Sequence, residues 1–303
     1  RKAIMSLDGT KIGWVGTGNM GSPMSRCLVG AGASVAVFDP AAGNMAAAIA
    51  AGARAGASNH DVAADAEFVF SMIPDDDVLR AVALGEGGVL SAMQPGAVYV
   101  DMSTVSPEVS AEVAVAADRA GIAYLRAPVS GSTILAEAGN LTIMVSGPGP
   151  AYERCEPLFG AMAAIQFYVG ESEQARYMKL VLNLLAASTI AALAEASAFG
   201  RKGGLDWNTM LDVIGDSVVA SPIVKYSLPP LKARDFSPAF STDLMTKDMG
   251  LICEAAAQVG VPTAIADAVR ALYVATAASG QGSDNLTAAV RQMERQVGLG
   301  EPE

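Results

Sequence analysis

Between residues 11 and 147 one arrangement of apolar and polar positions recurs: a short, unbroken apolar run, then a longer stretch rich in alanine and glycine. The runs "KIGWVG" (11–16), "SVAVFD" (34–39), "FVFSMI" (68–73), "AVYVDM" (97–102), "IAYLRA" (122–127) and "LTIMVSG" (141–147) read as buried strands. They are rich in β-branched and aromatic residues and show little polar alternation, as strands covered on both faces do. Segments of helical length, such as 22–31, 41–51 and 107–120, fall between most of them. Repeated strand–helix–strand order predicts an α/β unit built on a doubly wound parallel sheet.

After about residue 170 the strand pattern stops. Helical periodicity runs from 171 to 202, where Gly203–Gly204 suits a C-cap, and Asp206 then suits the N-cap of a further helix. Prolines punctuate 221–240, which reads as a loop. Three more helical segments are expected to start near Thr242, Pro262 and Asn285. The chain is therefore read as an α/β domain over 1–170 and an all-helical domain over 171–303. The helix of about 171–202 opens the second domain and bridges the two. Its stretch 180–199 is apolar enough to raise a membrane span. Asn183, Glu195 and the many alanines fit a buried interdomain helix better.

Composition narrows the setting. The 303 residues are 51% hydrophobic and 17% charged, with a formal net charge of −11, which disfavours nucleic acid and anionic membrane surfaces as partners. Cys27, Cys155 and Cys253 are far apart and odd in number, which suits free thiols in a reducing, cytoplasmic compartment. The opening "RKAIMSLDGT" has no apolar core for a signal peptide, and Met5 reads as a start.

"VGTGNMGSPM" sets Gly16-x-Gly18-x-x-Gly21 directly after a strand and at the opening of a helix. The first glycine permits a tight turn and the second lets the backbone approach a pyrophosphate. The third brings helix and strand close, and the helix N-terminus attracts the anion. Asp39 ends the next strand, where a carboxylate bonds both ribose hydroxyls of NAD and repels a 2′-phosphate. No arginine follows it in "PAA". Asp39 could also simply initiate a turn with Pro40. The 1–170 domain is therefore read as a Rossmann dinucleotide-binding domain, with NAD as the expected cofactor and NADP as the alternative.

Hydride transfer needs a partner for the proton of the substrate oxygen. The chain has one histidine, His60, in a segment that reads as a solvated helix start, so histidine triads and multi-histidine metal sites are excluded by count. No metal site is expected. "DDD" at 75–77 reads as a helix N-terminus, which welcomes negative charge. Of seven lysines, Lys179 alone lies in a strongly apolar helix, in "YMKLVLNLLAAS", and Lys247 in "LMTKDMGLI" comes next. Burial favours the neutral amine and lowers the lysine pKa toward the range of an acid–base catalyst. Asn183, four residues on, shares its helix face. The competing reading, a lysine snorkelling from a helix edge beside a structural asparagine, has equal standing on this stretch alone.

Four motifs in order, "GWVGTGNMGSPM", "DMSTVSP" (101–107), "APVSGSTILAEAGNLTIMVSG" (127–147) and "MKLVLN" (178–183), with "RDFSPAF" (234–240) and "KDM" (247–249), make the chain resemble the β-hydroxyacid dehydrogenase family over nearly its whole length. That family includes 3-hydroxyisobutyrate dehydrogenases, tartronate semialdehyde reductases and glyoxylate/succinic semialdehyde reductases. Its helical half resembles the C-terminal part of 6-phosphogluconate dehydrogenase. The resemblance implies Lys179 as catalytic acid/base with Asn183 as its neighbouring anchor. It implies Ser130 and Gly131 as carboxylate holders flanked by Ser132, and Ser103 and Thr104 bordering nicotinamide and substrate. Gly16, Gly18, Asn19, Met20, Gly21, Asp39, Met72, Ile73, Pro74 and Thr104 would line the cofactor, and Lys247 would approach both ligands. The expected partners are a small hydroxyacid or aldehyde and a second copy of the chain, as homodimer or homotetramer.

Departures mark this chain out. Many members carry aspartate where it has Arg126, a second glycine where it has Ser132, and glycine where it has Glu173 and Ala175. Arg126 is either part of an atypical substrate site or a structural ion pair at a strand end. Related imine reductases usually carry Asp or Tyr at the position of Lys179, and a non-catalytic dinucleotide-binding protein would be expected to lose Lys179 or the Ser130–Gly131 turn. Both are present.

Overall fold

Strand β1 (Lys11–Val15) has four of its five residues buried, and its partners on both sides explain why. The computed structural model describes residues 6–302, so Met5 lies outside the described residues. The chain divides into two compact units, with the division between Lys179 and Leu180.

In the first unit β1 leads to α1 (Gly21–Gly30), β2 (Ser34–Phe38), α2 (Ala46–Ala50), β3 (Arg54–Ala55), α3 (Asn59–Ala63) and β4 (Phe68–Ser71). Then come α4 (Asp76–Leu84), α5 (Val89–Ala92), β5 (Val98–Asp101), α6 (Pro107–Arg119) and β6 (Ala123–Arg126). The unit continues through β7 (Val129–Ser130), α7 (Thr133–Glu137), β8 (Leu141–Ser146), α8 (Gly149–Met162) and β9 (Ala163–Gly170). The nine strands form one sheet in the order β3-β2-β1-β4-β5-β6-β8-β7, with β9 paired to β8. Strands β3 to β6 pair in parallel. The order reverses at β1, giving the switch point outside whose strand ends ligands bind in doubly wound sheets.

The sheet departs from the all-parallel expectation beyond β6. Strand β8 runs antiparallel to β6 and β7, because the link from β7 to β8 holds only the single-turn α7. A parallel crossover takes a dozen or more residues. Apolar clusters cover both faces. One gathers Trp14, Met24, Leu28, Phe70, Val100 and Phe159; the other gathers Val15, Val69, Leu79, Tyr99, Val113 and Tyr124. That double burial is why the strand sequences are continuous apolar runs.

Helix α9 (Gln174–Lys202) begins in the first unit and continues into the second. By length and composition it could cross a membrane, and 44% of its most apolar window is buried. It ends where Gly204 adopts φ +87°, as a helix C-terminus favours. Then follow α10 (Trp207–Asp216), α11 (Pro222–Lys232), α12 (Thr242–Gln258), α13 (Ala264–Thr276) and α14 (Ala289–Gln296). Asp206 caps α10 by accepting from Thr209 N at 2.8 Å, and Ser241 caps α12 through Leu244 N. The expected loop over 221–240 is half wrong: Pro222 opens α11, which contains Pro229 and Pro230. Val224, Leu228 and Leu231 bury one face of this helix, and that burial outweighs the donors lost to the prolines.

The second unit has a charged centre at Glu294, 3% exposed. It accepts from Arg201 at 2.5 Å and from both terminal nitrogens of Arg234 at 3.1 and 2.7 Å. Arg234, in a left-handed conformation at φ 53°, also lies over the Trp207 and Phe236 rings. The arginine of "RDFSPAF" is thus structural, joining α14 to the turn after α11. Removing one partner of a buried ionic group leaves the others unpaired. Glu294→Gln is expected to lower stability by about 3 kcal/mol, read as a lower midpoint with unchanged slope in urea unfolding.

Candidate active site

The glycine loop is shaped from beneath by β1. Trp14, fully buried and stacked on Phe70 at 5.4 Å, donates its indole N–H to Gly16 O at 2.8 Å. Gly16 has φ +88°, a conformation that side chains resist. A Cβ on Gly21 would lie 1.9 Å from Gly16 O, so α1 packs against the turn only because position 21 is glycine. A Cβ on Gly18 would meet nothing within 4 Å; there the loop faces open space, with Asn19 exposed beside it. Two glycines build the cradle and the third keeps its mouth clear. Thr17 adds a buried hydroxyl with no hydrogen-bond partner. The residues present fit a dinucleotide pyrophosphate at the N-terminus of α1.

Asp39 follows β2 and is 8% exposed. One carboxylate oxygen accepts from Thr17 N at 2.8 Å; the other accepts from Ala41 N at 2.9 Å and Asn44 Nδ2 at 3.1 Å. Asp39 therefore organises its own turn, and through Thr17 it is tied to the glycine loop.

At the carboxyl ends of β4 and β5 lies a polar network that is buried throughout. Asp101 and Ser103 are inaccessible to solvent. Asp101 Oδ1 accepts from Ser71 Oγ at 2.6 Å and Ser103 Oγ at 2.7 Å; Asp101 Oδ2 accepts from Arg176 Nη2 at 2.5 Å. Ser103 Oγ in turn accepts from Ile73 N at 2.9 Å, which joins the "SMIP" segment to the "DMST" segment. The Ser103 proton is thereby committed to Asp101, so Ser103 holds this edge together. Tyr99 and Tyr124 complete the network through Ser71 and Arg176. Burial pushes both phenols above the ordinary tyrosine pKa and keeps them neutral.

Arg176 was not among the residues expected from the sequence, and it is the most connected side chain here. It is 1% exposed and lies in the first turns of α9, three residues before Lys179. Besides Asp101 it reaches Ser103 O at 2.8 Å, Ser110 Oγ at 3.1 Å and Tyr124 OH at 2.9 Å. Just ahead of α9, Glu173 pairs with Arg126 of β6, with side chains 14% and 6% exposed. Arg126 lies over the Tyr124 ring at 4.7 Å. Of the two readings of Arg126, the structural ion pair is the one found, and two departures from the family pattern are partners of each other.

Ser130 ends β7, and Gly131 and Ser132 form the turn that follows. Gly131 has φ +141°, and a Cβ there would lie 2.7 Å from Leu141 Cδ2, so this glycine is required by backbone and space. Ser132 stands at the N-cap of α7 without a side-chain capping bond, and Ser130 is half-buried. Along the β4 end Met72 is half-buried, Ile73 buried and Pro74 exposed, while Met20 and Thr104 are half-buried. Lys179 is half-buried.

In the second unit Asn183, 8% exposed, donates through Nδ2 to Asp248 Oδ2 at 2.5 Å. Lys247 Nζ lies 3.0 Å from the other oxygen of Asp248. Asp248, 1% exposed, is a second residue not expected from the sequence, although it stands inside the "KDM" motif. Among the described residues no group of three or more His, Cys, Asp or Glu could hold a metal ion.

Both parts of the chain match known protein families. Residues 11–170 match the family described as the NAD-binding domain of 6-phosphogluconate dehydrogenase. Residues 174–293 match the family described as NAD-binding of NADP-dependent 3-hydroxyisobutyrate dehydrogenase. The chain is 37% identical to 2-(hydroxymethyl)glutarate dehydrogenase of Eubacterium barkeri over 95% of its own length and 96% of that protein's. It is 31% identical to glyoxylate/succinic semialdehyde reductase 2 of Arabidopsis thaliana, over 95% of this chain and 80% of that one. A solved structure of Mycobacterium tuberculosis 3-hydroxyisobutyrate dehydrogenase with L-serine is similar at a TM-score of 0.85 and 32% identity, covering 94% of this chain and 99% of that one. The chain belongs to the β-hydroxyacid dehydrogenase family, as an oxidoreductase that uses NAD or NADP.

The two kinds of glycine should respond differently to substitution. Gly18→Leu is expected to weaken NADH binding by about tenfold or more, because a side chain enters the pyrophosphate space, with thermal stability close to that of the parent. Gly21→Ala should lower the unfolding temperature as well, since its Cβ meets Gly16 O. Cofactor titration and thermal unfolding on both variants separate the effects.

Proposed function

We propose that this chain interconverts small acids bearing a hydroxymethyl group beside the carboxylate with the corresponding semialdehydes, with NAD(H) preferred and Lys179 as the acid–base group. That assigns it to the NAD(P)-linked oxidoreductases acting on CH–OH groups. The observation that carries the reading is the anchoring of α9. Lys179 follows by three residues an arginine bonded to Ser103 O and Asp101 at the carboxyl end of β5, the edge where doubly wound sheets bind ligands. The substrate class follows the shared chemistry of two relatives: 2-(hydroxymethyl)glutarate and L-serine both carry a CH2OH group on the carbon that bears a carboxylate.

Bound nicotinamide supplies the acceptor or donor of hydride. The chain's own part is the proton and the geometry. Neutral Lys179 Nζ takes the hydroxyl proton as hydride leaves the carbon that bears that oxygen and the C=O bond forms, and the ammonium form returns the proton during reduction. Asn183, one helical turn on, gives its amide N–H to Asp248 and keeps its carbonyl oxygen as an acceptor for a hydroxyl or for the lysine. Backbone N–H groups in the Ser130–Gly131 turn, with the Ser130 hydroxyl, hold the carboxylate without an arginine, and Ser132 flanks them. Lys247 adds positive charge that favours anionic ligands. Met72, Ile73, Pro74 and Thr104 border the cofactor, while Asn19 and Met20 complete the loop around it. Asp39 bonds the adenosine ribose hydroxyls and disfavours a 2′-phosphate.

The test is NADH formation or consumption by the purified chain with a panel of 3-hydroxyacids, semialdehydes, keto acids and cyclic imines. Turnover is expected with hydroxymethyl acids or their semialdehydes, faster with NAD(H) than with NADP(H). Lys179→Ala should lose about 10²-fold or more in kcat, the contribution of a positioned acid–base group, while still binding NADH. Full activity in that variant would remove Lys179 from the mechanism. Turnover confined to cyclic imines would move the chain to the imine reductase reading, and faster reaction with NADPH would overturn the role given to Asp39.

A further inference from the structure

Arg176 anchors the start of α9 through four partners, and no other side chain of the first unit's polar network is so fully engaged. Arginine has five N–H donors in a rigid fork. Here Nε and both terminal nitrogens are in use, directed to Asp101 and Ser103 after β5, Ser110 on α6 and Tyr124 on β6. The helix is therefore fixed to three elements by one side chain. A buried ion pair is weak evidence for stability, because packed apolar residues of the same volume serve as well. What the fork gives that apolar packing does not is one defined geometry.

Two comparisons within the unit isolate this effect. The neighbouring pair, Arg126 with Glu173, is less complete: Arg126 Nε and Glu173 Oε2 are buried without hydrogen-bond partners. The polarity of the two pairs is also opposite. The sheet offers the cation at Arg126 and the anion at Asp101; the chain entering α9 offers the anion at Glu173 and the cation at Arg176. A slip of the helix start along the sheet edge would bring like charges together, so the crossed pairs admit one register.

We propose that Arg176 is a positioning residue for the reaction: through Asp101 and the Ser103 carbonyl it fixes the helical turn that bears Lys179 against the strand end that bears Ser103 and Thr104. The proposal rests on the acid–base reading of Lys179. Arg176 touches neither substrate nor cofactor in this role. It acts through the backbone of α9 on one side and through Asp101 on the other, with Asp101 also orienting Ser103, to which Ile73 N is bonded.

The experiment uses the full chain as wild type, Arg176→Lys, Arg176→Ala and Asp101→Asn. Measured for each are kcat, KM for the best acid of the panel, the NADH dissociation constant, and the pH profile of kcat/KM. Circular dichroism and thermal unfolding report folding. Asp101→Asn keeps the shape and one of the two acceptor oxygens, so it is the variant least prone to unfold. A displacement near 1 Å at a reacting group costs on the order of 10²-fold in rate. Arg176→Lys and Asp101→Asn are therefore expected to lower kcat by roughly 10- to 100-fold with NADH binding within about twofold of wild type. The limb of the pH profile that Lys179→Ala abolishes should be displaced in both. Methylguanidinium added to Arg176→Ala should restore part of kcat, which a general loss of packing would not allow.

Folded variants with wild-type kcat and pH profile, in a chain whose turnover still depends on Lys179, would overturn the positioning role alone. Unfolding of all three variants would assign Arg176 to stability and equally overturn it. A wild-type chain whose rate survives Lys179→Ala would instead overturn the acid–base reading, and the proposal with it.

Discussion

The bond from Arg176 to Asp101 is the constraint on which the rest of the candidate site depends. Two ionised side chains without solvent contact are tolerated only when the remaining donors and acceptors are met, and here they are met by residues that matter for other reasons. Ser71 ends β4 and leads into residues 72–74, the segment proposed to border the cofactor. Ser103 follows β5, and Tyr124 and Ser110 tie in β6 and α6. Satisfying one buried pair thus fixes the carboxyl edge of the sheet and the start of α9 together. The catalytic candidates inherit their positions from a network that performs no chemistry itself.

A similar economy governs the glycine loop and the helical unit. Trp14 is core on one face and a hydrogen-bond donor to the loop on its edge. Asp39 turns its own backbone and braces Thr17. Glu294 gathers Arg201 and Arg234, and through them the end of α9 and the turn after α11. In each case a polar group in an apolar setting is placed where several elements end, because only there are enough donors and acceptors at hand to satisfy it.

Much of this was legible in the chain, for identifiable reasons. Six of the nine strands were readable because burial on both faces makes them continuous apolar runs, whereas β3 and β7 span two residues each and leave no pattern to read. The glycine loop was readable because its geometry admits no other residue at positions 16 and 21. Strand β9 was missed: it follows α8 with no turn residue between, and Ile165 and Phe167 are about half exposed, so neither punctuation nor alternation announced it. Helix α11 was missed because Pro229 and Pro230 were weighed above the spacing of Val224, Leu228 and Leu231. Arg176 and Asp248 were missed for a different reason. Their roles lie in partners 75 and 65 residues away, and nothing local distinguishes a buried charge from a solvated one. The available signal was complementarity. Arg126 and Glu173 both departed from the family pattern, with opposite charge, and oppositely charged departures invite pairing.

The central claim is that Lys179 exchanges the proton of the substrate oxygen on a helix held in register by Arg176. The most direct measurement is a crystal structure of the chain with NADH and a non-reacting hydroxymethyl acid. The expected result is Lys179 Nζ about 3 Å from the substrate hydroxyl, within hydrogen-bond reach, with the Arg176–Asp101 bond intact. A hydroxyl bonded instead to a different ionisable side chain, with Lys179 turned away from it, would contradict the account.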